Sequence, residues 1–273
     1  MKEKILEVDH LSFAYDNNHN ALKDICLAIY KQEKIAVLGA NGAGKTTFFL
    51  NLNGVREPSG GEIRYRGETV GRKNINQLRR NVGIVFQDAD SQIIASTVKA
   101  EVAFGPLNMK LPRTEVEERT LSAIREMKLE DCVMRPPHYL SGGEKKRVSI
   151  ADILAMNCEV MVFDEPTASL DPVNAEILEE VLDKMEQQGK TVLLSTHDVD
   201  FAYRFAQRVL VFCGGELIGD GSVEDIFRNE ALLRKANLKK PVLMQLYDLL
   251  YAKGKISEVK ECPKRISDFA SLL

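Results

Sequence analysis

The sequence contains no tryptophan and only five cysteines, which lie far apart. No two of them form a C-x-x-C pair, so the cysteines predict neither a disulfide framework nor a zinc site. Long apolar runs are also missing, since runs such as Val160–Phe163 and Val209–Phe212 are far shorter than the ~20 residues of a membrane-spanning helix. The first residues show no continuous apolar stretch typical of a secretory signal. We expect a protein with reduced thiols that neither crosses a bilayer nor is exported.

No excess of either charge is present, because 37 lysines and arginines face 40 aspartates and glutamates, for a net charge of −3. This balance provides no positive field that would attract nucleic acid, and we therefore expect no non-specific binding of nucleic acid. The hydrophobic fraction of 44% over 273 residues is sufficient for a substantial core.

Short apolar runs alternate with longer helical patterns, which predicts an α/β fold with a mostly parallel sheet. Four of these runs deliver a glycine or a polar residue at or soon after their C-terminal end: Lys34–Leu38 before Gly39, Val82–Phe86 before Gln87, Val160–Phe163 before Asp164, and Val192–Leu194 before His197. Ligands of parallel sheets bind beyond the carboxyl ends of the strands, so we expect these four segments to meet at one site.

The helical patterns divide the chain. Residues 89–158 read as a helical insertion, in which Val116, Thr120, Leu121, Ile124 and Met127 share a helical stripe. A further helix is predicted from Asp171-Pro172 to Gly189. Residues 1–88 and 159–222 form the predicted α/β core. Residues 223–273 form a small C-terminal extension, with a helical stripe of Leu243, Leu246, Tyr247 and Leu250.

A glycine-rich segment follows the first of the four runs and fits the pattern G-x-x-x-x-G-K-[ST] at every fixed position. Its residues are Gly39, Ala40, Asn41, Gly42, Ala43, Gly44, Lys45 and Thr46. Backbone N–H groups of such a loop bind phosphate oxygens at a helix N-terminus, the lysine binds the β- and γ-phosphates, and the threonine hydroxyl binds Mg²⁺. The simpler interpretation is a glycine-rich turn with a solvated lysine.

A pair of carboxylates, Asp164 and Glu165, ends the apolar run Val160–Phe163. Adjacent carboxylates repel each other unless a cation is near, which favours a metal site. We expect Asp164 to hold Mg²⁺ and Glu165 to act as general base on the attacking water. Without the glycine-rich loop this signal is weak, because acidic residues often end strands.

The segment Leu140–Glu144 has two interpretations. Ser141 and Glu144 match a capping box, which needs no ligand. Gly142 and Gly143 also open a helix whose free N–H groups can bind a phosphate. The tetrapeptide Ser-Gly-Gly-Glu at 141–144 occurs a second time at Ser59–Glu62, where the following residues predict a turn that leads into a strand. The tetrapeptide alone therefore does not indicate a phosphate site.

Taken in order, these motifs resemble the ATP-binding subunit of an ABC transporter over about residues 5–222. The resemblance implies an α/β P-loop NTPase sheet domain of the ABC ATPase type, with an inserted helical subdomain and a C-terminal extension. It also implies that ATP is the substrate and Mg²⁺ the cofactor. Catalytic roles then belong to four residues: Lys45, Gln87, Glu165 and His197.

The resemblance assigns the remaining site residues as well. The metal ligands would be Thr46, Gln87 and Asp164. Nucleotide contacts would come from the loop at 39–46, from Thr47 and from Ser141–Gly143. Tyr15 matches the family's adenine-stacking aromatic, although a core-facing strand aromatic is the alternative. Ser169–Asp171, with Asp171 as a nucleotide contact, would lie at the dimer seam.

One departure from the family is Glu144, where its signature usually has glutamine. Both side chains complete a capping box, so we expect the helix start to be kept. An added negative charge near the γ-phosphate disfavours direct binding by Glu144. Ser141 and the backbone N–H groups are expected to make that contact.

The partners follow from the same resemblance. A second ATPase subunit, identical or related, completes two ATP sites. The segments Gln87–Gln92, Glu101–Pro106 and Pro241–Gly254 resemble energy-coupling-factor ATPases, including the cobalt and nickel uptake type. Vitamin import is the alternative, followed by a non-transport ABC ATPase.

A transmembrane coupling subunit and a substrate-binding membrane subunit would place this chain peripherally on the cytoplasmic face of the membrane. We expect 87–106 to form the docking groove, unless Val98, Val102 and Phe104 are ordinary core.

Overall fold

A computed structural model of the protein describes residues 2–15, 20–168, 170–257 and 262–272. Ser169, which the sequence places at a dimer seam, lies outside the described residues. Ten strands are found within those ranges: β1 (Lys4–Ala14), β2 (Asn20–Tyr30), β3 (Lys34–Leu38), β4 (Gly60–Tyr65), β5 (Glu68–Thr69), β6 (Val82–Val85), β7 (Val160–Phe163), β8 (Thr191–Ser195), β9 (Arg208–Cys213) and β10 (Glu216–Ser222).

The strands form two sheets. A six-stranded sheet has the order β10-β9-β3-β8-β7-β6, and all its pairings are parallel except that of β10 with β9. This confirms the predicted parallel sheet. A second sheet, β2-β1-β4-β5, is antiparallel and was not predicted from the sequence. The turn at Ser59–Glu62 does lead into β4, as expected.

Ten α-helices complete the described part: α1 (Lys45–Leu52), α2 (Ile75–Asn81), α3 (Val98–Asn108), α4 (Arg113–Glu126), α5 (Gly142–Met156), α6 (Pro172–Gln187), α7 (Val199–Phe205), α8 (Val223–Arg228), α9 (Glu230–Ala236) and α10 (Val242–Ala252). Short 3₁₀ turns occur at Ala89–Ser91, Glu130–Cys132, Pro137–Tyr139 and Ile266–Ser271. Among the described residues, none of the helices has the length and apolarity required to cross a bilayer.

The central strands are buried on both faces. In β3, Ile35 and Val37 join the core under the antiparallel sheet and α1, whereas Ala36 and Leu38 join the core under α5, α6 and α7. Successive strand side chains point to opposite faces, so a strand covered on both sides is predominantly apolar. This explains why these strands read as continuous apolar runs.

The predicted helix after Asp171 forms as expected. The Asp171 side chain accepts a hydrogen bond from the Asn174 N–H, Pro172 is the first helical residue, and Ile177 and Leu178 belong to the buried face. In α4, Val116, Thr120 and Ile124 are buried as predicted, although Leu121 is exposed.

The C-terminal extension packs on the same core. Val223, where α8 begins, and Phe227 belong to the apolar cluster that covers β9. In α10, Tyr247 is buried and Leu243 and Leu250 pack against the core, as the predicted stripe requires. Leu246 is exposed instead, and Met244 is buried in addition. Leucine is frequent around this helix, and the packing partner rather than the pattern selects the buried face.

Removal of the Phe227 side chain tests how firmly the extension is attached. Phe227 is fully buried, and its ring meets Tyr203 of α7 edge-on at a centroid distance of 6.1 Å. We expect Phe227→Ala to lower the free energy of unfolding by about 3–5 kcal/mol, measured by denaturant titration. The control Phe104→Ala removes a half-exposed ring and is expected to cost less than about 1 kcal/mol. Equal losses would contradict this packing.

Candidate functional site

The carboxyl ends of β3, β8, β7 and β6 lie side by side, because these strands are parallel neighbours. A cleft of about 250 Å³ opens there, and it is lined by Tyr15, Ala21, Asn41, Gly42, Ala43, Gly44, Lys45, Thr46, Thr47, Gln87 and Glu165. The predicted convergence of segments that are distant in sequence is therefore present in the fold.

The glycine-rich loop connects β3 to α1 and approaches other backbone closely. A Cβ atom at Gly39 would lie 2.4 Å from the Phe212 carbonyl oxygen, and one at Gly44 would lie 2.7 Å from that of Ala21. Both glycines have positive φ, +152° and +104° respectively. Among the residues that the structure describes, no side chain caps the N-terminus of α1, and the first turn of α1 contains no acidic residue. Its N–H groups are thus available to an anion, and this cradle fits a phosphate chain.

Lys45 is the first residue of α1 and is almost fully buried. Its Nζ donates hydrogen bonds to the carbonyl oxygens of Gly39 at 2.7 Å and Ala40 at 3.3 Å, and it lies 3.5 Å from Glu165 Oε1. Burial lowers the pKa of Lys45, and the carboxylates of Glu165 and Asp164 oppose that shift. The ammonium group is held inside the loop, where phosphate oxygens would meet it.

Asp164 follows β7 and its carboxylate is buried. Oδ2 accepts a hydrogen bond from Thr46 Oγ1 at 2.6 Å, and Oδ1 accepts one from Ser195 Oγ at 2.6 Å. Hydroxyl and carboxylate oxygens are the ligands that Mg²⁺ prefers, and Gln87 adds an amide oxygen to the same cleft. These three side chains, Thr46, Asp164 and Gln87, fit the metal that the sequence implies.

Glu165 adopts a left-handed backbone conformation, with φ of 49°. Such a conformation is unfavourable for a side chain larger than glycine and is concentrated at functional sites. Its Oε1 atom lies 2.7 Å from His197 Nε2, and its backbone N–H donates to Ser195 Oγ at 2.9 Å. The carboxylate of Glu165 is therefore fixed between Lys45 and His197, at the base of the cleft.

Tyr15 stands immediately after β1 and is half-exposed, which excludes the alternative of a core-facing aromatic. Its hydroxyl group lies 3.0 Å from Thr47 Oγ1, and the Arg56 guanidinium group covers the ring at 5.5 Å. The aromatic face thus lies at the rim of the cleft that contains the glycine-rich loop. Stacking of adenine on Tyr15 stays a prediction.

Ser141, Gly142 and Gly143 do not line this cleft. Ser141 caps α5 in a full capping box, in which its Oγ accepts the Glu144 N–H and its N–H donates to Glu144 Oε2. The hydrogen bond from the Ser141 N–H is the main cause of the lowered pKa of Glu144. The predicted helix start is confirmed, and the carboxylate of Glu144 turns back onto Ser141.

Asp171 lies beside the start of α5 and does not line the cleft at the glycine-rich loop. A Cβ at Gly143 would come within 2.6 Å of Asn174 Nδ2, which itself donates to Asp171 Oδ2. The starts of α5 and α6 therefore form one exposed surface. Gln87 lines both the cleft at the glycine-rich loop and a second cleft that contains Gly142.

Two residues of the site carried no assignment in the sequence. Ser195 ends β8 and bridges Asp164 and Glu165, and a serine two positions before His197 was the only available signal. Lys146 donates from α5 to the carbonyl oxygens of Phe86 and Gln87, although it reads as one of several charges after the capping box.

Substitution of Ser195 tests the bridge. Ser195→Ala would leave the buried Asp164 carboxylate without one donor and the Glu165 N–H without its acceptor. We expect a loss of about 1–3 kcal/mol in the free energy of unfolding and a lower turnover of ATP. The control Thr120→Ala removes a buried hydroxyl bonded to the Val116 carbonyl in α4. Thr120→Ala should lower the free energy of unfolding without changing ATP turnover. Equal effects of both variants on turnover would contradict a role of the Ser195 hydrogen bonds in the site.

Comparison with known proteins identifies the family. Residues 22–168, more than half of the chain, match the family model described as ABC transporter. The chain is 43% identical to the energy-coupling factor transporter ATP-binding protein EcfA of Methanocaldococcus jannaschii, over 92% of this chain and 91% of that protein.

Solved structures agree. The chain is similar to cbiO1 from Clostridium perfringens, part of the ABC transporter complex cbiONQ, with a TM-score of 0.74, 38% identity, and coverage of 92% of this chain and 100% of that one. It is also similar to the dimeric ATP-binding cassette MJ0796 bound to ADP and Pi, with a TM-score of 0.73 and 28% identity over 80% of this chain and 99% of the other. The chain therefore belongs to the ABC transporter family, as an ATP-binding and ATP-hydrolysing subunit of the energy-coupling-factor type.

Proposed function

We propose that this chain hydrolyses ATP as a head-to-tail dimer and so powers an importer of cobalt or nickel ions. The dimer is supported by the fact that the predicted ATP contacts of one chain lie on two separate surfaces. The glycine-rich loop with Glu165 lines one cleft, whereas Ser141–Gly143 and Asp171 occupy a separate exposed surface. A second subunit would bring that surface over the ATP held by the loop.

The residues of one chain have distinct roles in this scheme. Backbone N–H groups of the loop and the Lys45 ammonium group would hold the phosphates of ATP. Mg²⁺, when bound by Thr46, Asp164 and Gln87, neutralises the negative charge of the phosphates. The carboxylate of Glu165 would orient the attacking water and accept its proton.

His197 would orient the general base. Its Nε2 atom lies 2.7 Å from the Glu165 carboxylate, while nearly half of the side-chain surface is exposed. A residue that contacts the base on one side and faces open space on the other can also contact the γ-phosphate. The covering surface from the second subunit would exclude water, and release of products would separate the two subunits.

The dimer is tested by Glu165→Gln, which keeps the shape of the side chain but removes the general base. ATP should then hold two subunits together, and light scattering should report twice the monomer mass after ATP is added. The control Glu180→Gln changes an exposed glutamate of α6 and should leave hydrolysis and the transient dimer unaltered. A Glu165→Gln protein that binds ATP and stays monomeric would count against the scheme.

The membrane partner is expected to dock on α3 and the loop before it, as a peripheral contact at the cytoplasmic face of the membrane. Val98 and Val102 are fully buried core residues, so they do not belong to the docking surface. Ile94, Phe104 and Leu107 are exposed apolar residues in the same segment. A transmembrane coupling subunit could cover these side chains, which water otherwise contacts.

Cobalt or nickel is proposed as cargo on the strength of the resemblance in segments 87–106 and 241–254, and the similar cbiO1 is part of the complex cbiONQ. The choice of cargo rests with the substrate-binding membrane subunit. The same ATPase role in a vitamin importer is the competing proposal, and uptake assays with Co²⁺, Ni²⁺ and vitamins in cells that express the whole transporter separate the two.

Replacement of exposed apolar residues tests the docking surface. Phe104→Ser and Leu107→Ser should each lower ATP-driven uptake of Co²⁺ by about tenfold, since apolar anchors dominate most interfaces. The basal ATPase rate of the isolated subunit should stay unchanged. Leu121→Ser, on an exposed part of α4, is the matched control and should affect neither. Simultaneous loss of uptake and basal ATPase would indicate a core role instead.

A further inference from the structure

Lys146 is a lysine of α5 with an environment unlike that of the neighbouring charges. It is only 4% exposed, and its Nζ donates hydrogen bonds to the Phe86 carbonyl oxygen at 2.8 Å and to that of Gln87 at 2.6 Å. Burial lowers the pKa of Lys146 to about 8, against the opposing effect of nearby carboxylates such as Asp164 and Asp88. Burial of an ammonium group is costly unless acceptors compensate it, so these two bonds hold the side chain in place.

The two carbonyl groups lie where the chain leaves the sheet. The Val85 carbonyl still accepts the N–H of Asp164 at 2.9 Å, within the β6–β7 edge. The next two carbonyls, of Phe86 and Gln87, are bound by Lys146 instead. The backbone of Gln87 is therefore attached to α5 and no longer to the central sheet.

Further contacts attach the same segment to α5. Gln92 Oε1 accepts the Phe86 N–H at 3.1 Å, and Gln92 Nε2 donates to the Ser149 carbonyl oxygen at 3.2 Å. Lys145 forms an exposed ion pair with Asp90 at 2.7 Å. Residues 86–92 are thus held by α5 near both of their ends, and Lys146 is the buried contact closest to Gln87.

The position of Lys146 along α5 gives it a mechanical role. It lies five residues after the cap Ser141, about 7.5 Å along the helix axis. A helix of this length is rigid over so short a distance. A displacement of the exposed start of α5 would reach this segment through the two hydrogen bonds of Lys146, one to the Phe86 carbonyl oxygen and one to that of Gln87.

We propose that Lys146 is a positioning residue that couples the two ATP sites of the dimer, because the helix start that faces the ATP of the second subunit also holds Gln87 in the site of its own chain. This inference rests on the proposed head-to-tail dimer. ATP in one site sets the position of Gln87 in the other, and the coupling is reciprocal, as linkage requires. Lys146 itself contacts neither ATP nor the metal.

Hydrogen exchange of residues 86–92 provides the direct test, in the Glu165→Gln parent, where ATP should hold the dimer without turnover. In the parent, ATP should slow exchange both at the start of α5 and in residues 86–92, by about tenfold or more. Lys146→Met replaces the ammonium group with an apolar chain of similar size. It should retain the protection at the start of α5 and lose that of residues 86–92.

The kinetics of ATP hydrolysis, measured in protein that retains Glu165, provide a second readout. Lys146→Met should lower kcat by about tenfold through misplacement of Gln87, while the affinity of the monomer for ATP is unchanged. The Hill coefficient of hydrolysis should fall to about 1, because the two sites no longer communicate. Lys146→Gln keeps an amide donor and should recover part of both the kcat and the exchange response.

Lys190→Met is the matched control. Lys190 also donates to a backbone carbonyl of the α5 region, that of Asn157, but at the opposite end of the helix. It should leave kcat, the Hill coefficient and the exchange response at parental values. If Lys190→Met and Lys146→Met lower kcat equally, Lys146 has a structural role only and the inference is overturned.

The remaining outcomes are also decisive. An ATP-driven dimer in which Lys146→Met leaves the response of residues 86–92 intact overturns this inference alone. Absence of any ATP-driven dimer in the Glu165→Gln parent overturns the proposed function and this inference together. If Lys146→Met does not fold, Lys146→Gln decides by the same exchange measurement: a reduced response supports the coupling, and a full parental response refutes it.

Discussion

The site depends on the parallel pairing of β3, β8, β7 and β6, because only that pairing aligns the carboxyl ends of four strands at one edge. Both faces of these strands are covered, one by the antiparallel sheet with α1 and the other by helices. No polar side chain can be accommodated along the strands without a buried partner. The polar side chains of the site therefore lie at the ends of the strands and in the segments that follow them.

Buried charges at that edge are balanced within the chain before any ligand binds. Lys45 lies near Glu165 and is held by backbone carbonyls, while Asp164 accepts hydrogen bonds from two hydroxyl groups. A buried charge without partners would be severely destabilising. Phosphate and metal must consequently replace contacts that already exist. Glu165 also has a left-handed backbone, with φ of 49°, a conformation that is unfavourable for residues other than glycine.

The sequence predicted those parts of the fold whose residue pattern is set by a single physical requirement, such as burial on both faces of a strand. β7 coincides with the run Val160–Phe163, because burial on both faces leaves only apolar residues. The antiparallel sheet was not predicted because β1 and β2 are long, partly exposed and irregular in register. These features weaken the alternation of apolar and polar residues that indicates a strand. Ser195 could not be predicted because its role depends on two hydrogen bonds to residues about 30 positions away in the sequence, and no local spacing indicates such contacts. Likewise, α10 packs through Met244, which the leucine pattern did not favour.

A helix start can serve two purposes at once when its polar groups are divided between them. The capping box uses the Ser141 hydroxyl and the Glu144 carboxylate to satisfy local donors, so the N-terminus of α5 is capped without any ligand. The capping box leaves further N–H groups of the first turn without intrahelical acceptors. Gly142 and Gly143 add no side chains that would block an approaching phosphate. Replacement of the family's glutamine by Glu144 is compatible with this division, because the carboxylate points back to Ser141 and its charge is compensated there. The local role of the motif thus keeps the helix formed, and the remaining N–H groups stay free for a ligand that this chain does not itself supply.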